Sequence, residues 1–300
     1  VSGTVRLDVT HTTVARYSAR VEVAYHCAHL TPRDDARQQV LDFDLAIDPP
    51  PAQCSHSRDA FGNVRTEFAL YAPHDALTVR ARSRVALTSR ERPVEAAASV
   101  PWQALASSLR YAVGASFQPA AEFVFASPHV PLLDPLREYA AASFAPERPT
   151  VAGAIELMER VHRDFAYEPG TTDVGTPLAE VFRERRGVCQ DFAHLMLGML
   201  RALGLPARYV SGYLLTQPPP GQARLLGADA SHAWISVWCP ALGWVDLDPT
   251  NAVLPDAGHV TLAVGRDYGD VTPLRGVIQG GASHTIDVAV NVAPVIEQAA

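Results

Sequence analysis

Apolar residues along the first part of the chain keep one parity over long stretches. Val5, Leu7 and Val9, then Tyr17, Val21, Val23 and Tyr25, alternate with polar neighbours, the period of a half-buried strand, with β-branched and aromatic enrichment. Leu30-Thr31-Pro32-Arg33 and the polar run to Gln39 break the pattern. A second strand is predicted over 40–47, closed by Pro49-Pro50-Pro51. Asp59-Ala60-Phe61-Gly62-Asn63-Val64 predicts a turn in which Gly62-Asn63 supply positive φ, and strands over 64–72 and 76–88 complete the set. Short strands, turn signals and no helical period predict an antiparallel sandwich over about residues 1–90. His11, His26, His29, His56 and His74 are scattered through it without a catalytic grouping, which makes them surface or strand histidines.

Residues 91–149 are rich in Ala, Pro and Ser and form a connection with short helices expected at about 101–112 and 134–144. Asp134-Pro135 is a helix start signal. From 150 to 300 the pattern predicts a second domain. Thr150 can cap a helix whose apolar face is Ile155, Met158, Val161, His162 and Phe165, ended by Tyr167-Glu168-Pro169-Gly170. Thr176-Pro177 opens another with Leu178, Val181 and Phe182, which stops at Arg185-Arg186-Gly187. A third starts at Cys189, carries Phe192, Leu195, Met196, Met199, Leu200 and Leu203, and ends at Gly204 with Pro206 beyond. Strands follow over 207–215, 230–239 and 243–248, with Pro218-Pro219-Pro220-Gly221 a flexible loop between the first two. Tail strands over 259–264, 273–279 and 284–293 either extend this sheet or cover an edge. Helices first and consecutive strands afterwards make this an α+β domain with an antiparallel sheet.

Composition narrows the partners. No apolar run approaches the ~20 residues that span a bilayer, so no integral membrane segment is expected. The net charge of −7 and the lack of a basic stripe interleaved with aromatics exclude nucleic acid. All 25 basic residues are Arg, so the chain has no lysine ε-amine to serve as a self-crosslinking acceptor. The four cysteines show no CxxC spacing, hence neither a zinc ribbon nor a disulfide framework. Cys27, Cys54 and Cys239 are expected as small buried or half-buried hydrophobes in a reducing compartment. The first residues lack the apolar core of a signal peptide, which points to the cytoplasm, although a start without Met also allows a removed leader. Oligomeric state has no signature.

Cys189 lies where a Gly-bounded turn meets a helix, facing free backbone N–H groups and the positive end of the macrodipole, both of which favour thiolate. Ser231-His232-Ala233-Trp234-Ile235-Ser236-Val237-Trp238 alternates without a break. The turn Pro240-Ala241-Leu242-Gly243 then returns the chain antiparallel through Trp244 to Asp248. Such a hairpin brings Asp246 or Asp248 near His232; the two share a face, and geometry alone does not separate them. Cys, His and Asp in this order compose a nucleophile, its base and the base's orienter. His194, five residues after Cys189, points about 140° away on the helix and reads as a packing residue or as one that supports the site from behind. His259 and His284 have no obvious partner.

The blocks Gly187-Val-Cys189-Gln-Asp-Phe-Ala-His194, Ser231-His232-Ala-Trp234 and Trp244-Val-Asp-Leu-Asp248-Pro-Thr-Asn251 resemble the three core motifs of transglutaminase-like cysteine enzymes. Leu30-Thr-Pro-Arg33, Asp59-Ala-Phe-Gly-Asn63 and Gly265-Arg-Asp-Tyr-Gly-Asp270 resemble the additional parts of bacterial members. The resemblance implies an α+β, papain-like catalytic core preceded by an all-β sandwich, and it selects the aspartate before proline, Asp248. It further implies that Cys189 forms a thioester with a peptide or amide carbonyl, that His232 moves the proton and that Asp248 holds the imidazole. The backbone N–H of Cys189 is one oxyanion donor, and Tyr167 and Gln190 are candidates for a second. No cofactor and no metal are expected; animal relatives use calcium, but no EF-hand-like acidic loop is present. The expected substrate is a protein or peptide, hydrolysed by water. Alternatives are transfer to an amine, as in a protein-glutamine transglutaminase, and a non-catalytic protein-binding scaffold.

Overall fold

A computed structural model of the protein describes residues 3–114, 116–216 and 231–295. Its first part contains β1 (Thr4–Ala28), β2 (Gln38–Asp48), β3 (Gln53–Arg58), β4 (Val64–Leu70) and β5 (His74–Thr88). The helical part runs α1 (Trp102–Ser108), α2 (Asp134–Ala141), α3 (Thr150–Asp164), β6 (Ala166–Tyr167), α4 (Leu178–Glu184), β7 (Arg186–Gly187) and α5 (Cys189–Ala202). Then come β8 (Ala207–Leu214), β9 (Ser231–Cys239), β10 (Gly243–Leu247), β11 (His259–Gly265), α6 (Tyr268–Val271), β12 (Leu274–Gly280) and β13 (His284–Pro294).

The alternating start becomes one 25-residue strand, β1, and the N-terminal sheet is built on its two halves. Residues Thr4–Arg16 pair with β5, which pairs with β2; Ala24–Ala28 pair with β4, which pairs with β3. The register slips between Arg16 and Val21, where β1 turns from one half into the other. The halves meet across an apolar core, with Ala15, Leu77, Val79 and Ala81 on one side and Ala24, Phe68 and Leu70 on the other. This is the two-layered sandwich that the short strands predict, with one strand continuous through both layers.

The tail divides. Its first strand, β11, joins β8 in the second sheet, whereas β12 and β13 return to the open sides of β1, antiparallel to Val21–Ala28 and Leu7–Tyr17. Residues 150–300 thus supply strands to both sheets. Strand β3 carries no apolar alternation and was not predicted; it forms through backbone pairing alone and is exposed along its length. Cys54 on it is consequently exposed rather than buried, while Cys27 is half-buried and Cys239 buried. Of the histidines in this region, His11 and His74 lie on strands, and both are buried, as is His29; His11 Nδ1 lies 2.9 Å from the Tyr213 hydroxyl of the second sheet.

The second sheet is antiparallel in the order β10-β9-β8-β11. Helix α5 packs on it with Leu195, Met196, Leu197, Met199 and Leu200 fully buried beside Ala233, Ile235 and Val237. Its burial all round, from Asp191 to Arg201, marks a helix enclosed by protein rather than lying on a surface. Burying one such Leu side chain is worth about 1.5–3 kcal/mol. Around it, α3 contributes Leu157, Met158 and Val161. Several helix ends differ from the predicted ones. Helices α1 and α2 stop at Ser108 and Ala141. Thr150 does not cap its helix: its hydroxyl donates to the Val100 carbonyl, 2.8 Å away, and so ties the connection to α3. The short α6 was not anticipated, and the Pro218–Gly221 loop lies outside the described residues. Among the described residues no helix is long and apolar enough to cross a membrane.

Gly212 of β8 sits opposite His232 of β9. A Cβ there would come 2.2 Å from the Val260 carbonyl oxygen of β11 and 2.4 Å from the Trp234 ring. The backbone oxygen cannot swing aside as a side chain would. Gly212→Ala is expected to destabilise the fold by about 1–3 kcal/mol or more, read as a lower urea midpoint at unchanged slope.

Candidate active site

Cys189 is the first residue of α5, following an extended Val188 (φ −111°, ψ −179°). The helix start is held by Asp191 in the first turn, whose Oδ2 accepts the Val188 N–H at 2.8 Å and the Thr172 hydroxyl at 2.6 Å. Burial pushes the Asp191 carboxyl up, while these two bonds pull the other way without cancelling it. Gly187 is required by this arrangement, since a Cβ would fall 2.6 Å from Asp191 Oδ2. The two-residue strands β6 and β7 pair in parallel and set Tyr167 beside Gly187.

His232 is the second residue of β9. Its Nε2 lies 2.8 Å from Asp248 Oδ2, and Cys189 is near enough to act on the charge of its ring. With Nε2 occupied by the carboxylate, Nδ1 is the nitrogen left for the thiol. Burial alone would lower the imidazole pKa, but Asp248 and Cys189 outweigh it and carry it up to about 9. Asp248 is fully buried just past the end of β10. Burial would raise its carboxyl, yet the bonds from His232, His259 and Asn251 hold it far below the usual carboxylate range. Asp246, on the same strand face, turns elsewhere: it accepts the Ser236 hydroxyl and lies 3.7 Å from Arg37. Of the two aspartates, the structure brings Asp248 to His232.

Five donors surround that carboxylate. Oδ2 takes His232 Nε2, Asn251 Nδ2 at 2.7 Å and His259 Nε2 at 3.1 Å; Oδ1 takes the N–H groups of Thr250 at 3.0 Å and Asn251 at 3.2 Å. His259 is therefore a site residue that the sequence left without a partner. Its strand pairs with β8, not with the β9–β10 hairpin, so no local pattern announces where its side chain lands. His194 is, as expected, a packing residue. It is buried with its Nε2 accepting the Tyr268 N–H at 3.2 Å, and its ring stacks on His129. Burial pushes its imidazole down to about 3.

His232, Asp248 and His259 also form a group whose three ligand atoms lie within 4.8 Å of one another. Two imidazoles and a carboxylate are a donor set that transition metals accept. Here, however, both Nε2 atoms are directed at the same carboxylate oxygen, so the fit is to a hydrogen-bonded relay rather than to ligands converging on a shared centre.

Tyr167 is about half exposed beside this site. Burial, and then the neighbouring Cys189, raise the pKa of its phenol. The hydroxyl thus stays protonated and able to donate.

Comparison with known proteins identifies the family. Residues 7–86 match the bacterial transglutaminase-like N-terminal region and residues 137–249 the transglutaminase-like superfamily. An uncharacterized protein of Mycobacterium tuberculosis (strain ATCC 25618 / H37Rv) is 43% identical over 98% of this chain and 94% of its own length. A protein-glutamine gamma-glutamyltransferase of Pseudomonas aeruginosa is 35% identical over 42% of this chain, which corresponds to 18% of that protein. The crystal structure of "a Putative Cysteine Protease from Cytophaga hutchinsonii" superposes with a TM-score of 0.75 at 19% identity, covering 100% of this chain and 93% of that one. The chain belongs to the transglutaminase-like superfamily, as a bacterial-type member with the N-terminal β region ahead of its core.

Proposed function

We propose that the protein is a cysteine-dependent acyl-transfer enzyme that hydrolyses peptide or side-chain amide bonds. The observation that carries this is the position of the His232 ring, with Nε2 2.8 Å from the Asp248 carboxylate and Cys189 as the other neighbour that raises its pKa. An imidazole in that place can take the proton of the Cys189 thiol as the sulfur becomes the nucleophile. The thiolate attacks the carbonyl carbon, and the developing oxyanion takes the N–H of Cys189 at the open helix start. As the C–N bond breaks, His232 gives its proton to the leaving amine, and the acyl group remains on sulfur as a thioester. Water then loses a proton to His232 and attacks the thioester; the carboxylic acid leaves and the thiolate–imidazolium pair returns. Asp248 stays ionised throughout and holds the ring in the tautomer that this requires.

Tyr167 is the better placed of the two candidates for a second oxyanion donor, because strand pairing seats it beside the Gly187-Val188-Cys189 turn. Tyr167→Phe is expected to lower kcat by about 10–100-fold with KM little changed. An equal loss in KM alone would assign the hydroxyl to substrate binding.

A second reading, transfer to a primary amine, is favoured by the similarity to the Pseudomonas protein-glutamine gamma-glutamyltransferase. One experiment separates the two. The protein is incubated with a peptide library with and without a labelled amine, and mass spectrometry follows cleavage, ammonia release and the Cys189 acyl adduct. Cleavage or deamidation without label supports hydrolysis; label that vanishes in Cys189→Ala supports transfer. No adduct on Cys189, even with iodoacetamide near neutral pH, would leave only a protein-binding scaffold.

A further inference from the structure

We propose that His259 is a positioning residue for the catalytic relay, and that the N-terminal region acts on catalysis by clamping the strand that carries it. This inference rests on the assignment of Asp248 as the residue that orients His232. The clamp sits at the free edge of the sheet that carries His232. Strand β11 pairs with β8 on one side only, so the N–H and C=O groups along its outer edge need partners or solvent. Two side-chain amides from the N-terminal region supply them. Gln38 Oε1 accepts the Thr261 N–H at 2.8 Å while its Nε2 donates to the Thr261 carbonyl at 2.8 Å. Asn63 repeats the pattern at Val264, with 2.8 Å for each bond. Each amide takes the place of one residue of a neighbouring strand. A register shift between Thr261 and Ala263 accompanies this, and both Thr261 and Val264 present their polar groups outward.

These bonds are protected from water. Gln38 and Asn63 are 3% and 0% exposed, and each is fixed from its own side. The Arg33 carbonyl accepts a second bond from Gln38 Nε2, and the Asp59 carboxylate one from Asn63 Nδ2 at 2.7 Å. The turn ahead of β11 is gripped as well. The His259 N–H donates to the Asp256 carbonyl at 2.8 Å, and the Asp256 carboxylate accepts the Arg90 N–H at 3.0 Å and the Arg37 guanidinium at 3.3 Å. His259 is thus held three residues before and two residues after by the N-terminal region. Its ring is set edge-on against the buried Trp234, 5.3 Å between centroids. That leaves Nε2 aimed at Asp248 Oδ2, the same oxygen that His232 engages. A carboxylate fixed by a second imidazole cannot rotate its oxygen away from the first, so the His232 ring keeps its plane and its Nδ1 stays directed at the thiol.

The tests use the full chain. His259→Leu removes the donor and keeps the bulk; His259→Gln offers an amide N–H near the position of Nε2. In His259→Leu, kcat is expected to fall about tenfold, the loss of one hydrogen bond to a buried charge, with KM within about twofold. His259→Gln should recover most of it. The proton on His232 Nε2, observed by NMR, should shift or broaden in the Leu variant and return in the Gln variant; packing alone would not produce that rescue. Gln38→Met cuts the clamp from the other end. It should speed amide exchange across 259–264 and lower kcat in the same sense, and the double variant should be no worse than His259→Leu alone, because both act through one contact. Wild-type kcat and an unmoved His232 resonance in His259→Leu would overturn the inference. So would additive losses in the double variant. If Cys189→Ala kept its turnover, the enzymatic reading would fail instead, while the NMR comparison would still decide whether His259 positions the Asp248–His232 pair.

Discussion

Cys189→Ala is expected to lower amide turnover by at least about 10⁴-fold, to the level that binding and oxyanion stabilisation provide without a nucleophile. In the proposed cycle the sulfur carries the acyl group, and no neighbouring group can replace it. His232 could still deprotonate water, but water would then have to attack an unactivated amide, the step that the thioester avoids. Folding should survive. Cys189 is partly accessible, the substitution removes one atom, and alanine is a good residue within a helix; the thermal midpoint should move by no more than a few degrees. The imidazole reports the loss independently. With the Cys189 thiol gone, one of the groups that hold His232 at about 9 is missing, so its NMR titration should move downward. Alkylation needs peptide-level resolution, because the exposed Cys54 also reacts. A variant that kept turnover while losing the Cys189 adduct would place the chemistry on another residue.

How much of this was legible in the sequence depended on whether a contact is local. The α5 start, with Gly187 before Cys189 and an apolar period after it, follows from neighbours along the chain, as does the β9–β10 hairpin. Its register, with Asp246 opposite Ser236, is set by the turn at Pro240–Gly243. The choice between Asp246 and Asp248 was beyond periodicity, since both share a parity; it came from the resemblance of the block ending in Asn251. In the structure the two carboxylates differ by their surroundings. Asp246 faces Ser236 and Arg37, and Asp248 collects His232, His259 and Asn251. Long-range placement was not legible at all. Nothing in His259-Val-Thr-Leu-Ala-Val264 says that its strand docks on β8, that an amide 223 positions away completes its edge, or that the following strands leave for the sandwich. The buried His11 and the exposed Cys54 are further cases, because burial there is decided by which sheet lies opposite.

Asp248→Asn should reduce kcat/KM by about 10³–10⁴-fold, the scale on which an orienting carboxylate acts in a nucleophile–imidazole pair. The substitution keeps the shape and can still accept from the Thr250 and Asn251 N–H groups that bond Oδ1. What it removes is the charge. Without that charge only Cys189 is left to oppose burial at His232, and its pKa should drop from about 9. The alkaline limb of the pH–rate profile should therefore lie near 9 in the wild type and move down in the variant. Stability should follow the same groups. The depressed Asp248 stabilises the fold above its ordinary pKa of 3.8, and that contribution is lost as the pH falls below it. The raised His232 stabilises below its ordinary 6.5, and this is lost as the pH rises through about 9. The wild type should exceed Asp248→Asn most between about pH 4 and 6.5, with the gap closing on both sides, as urea unfolding across that range would show. A pH-independent gap would mean that the carboxylate contributes shape rather than charge, and the imidazolium that protonates the leaving amine would then need another source of stabilisation.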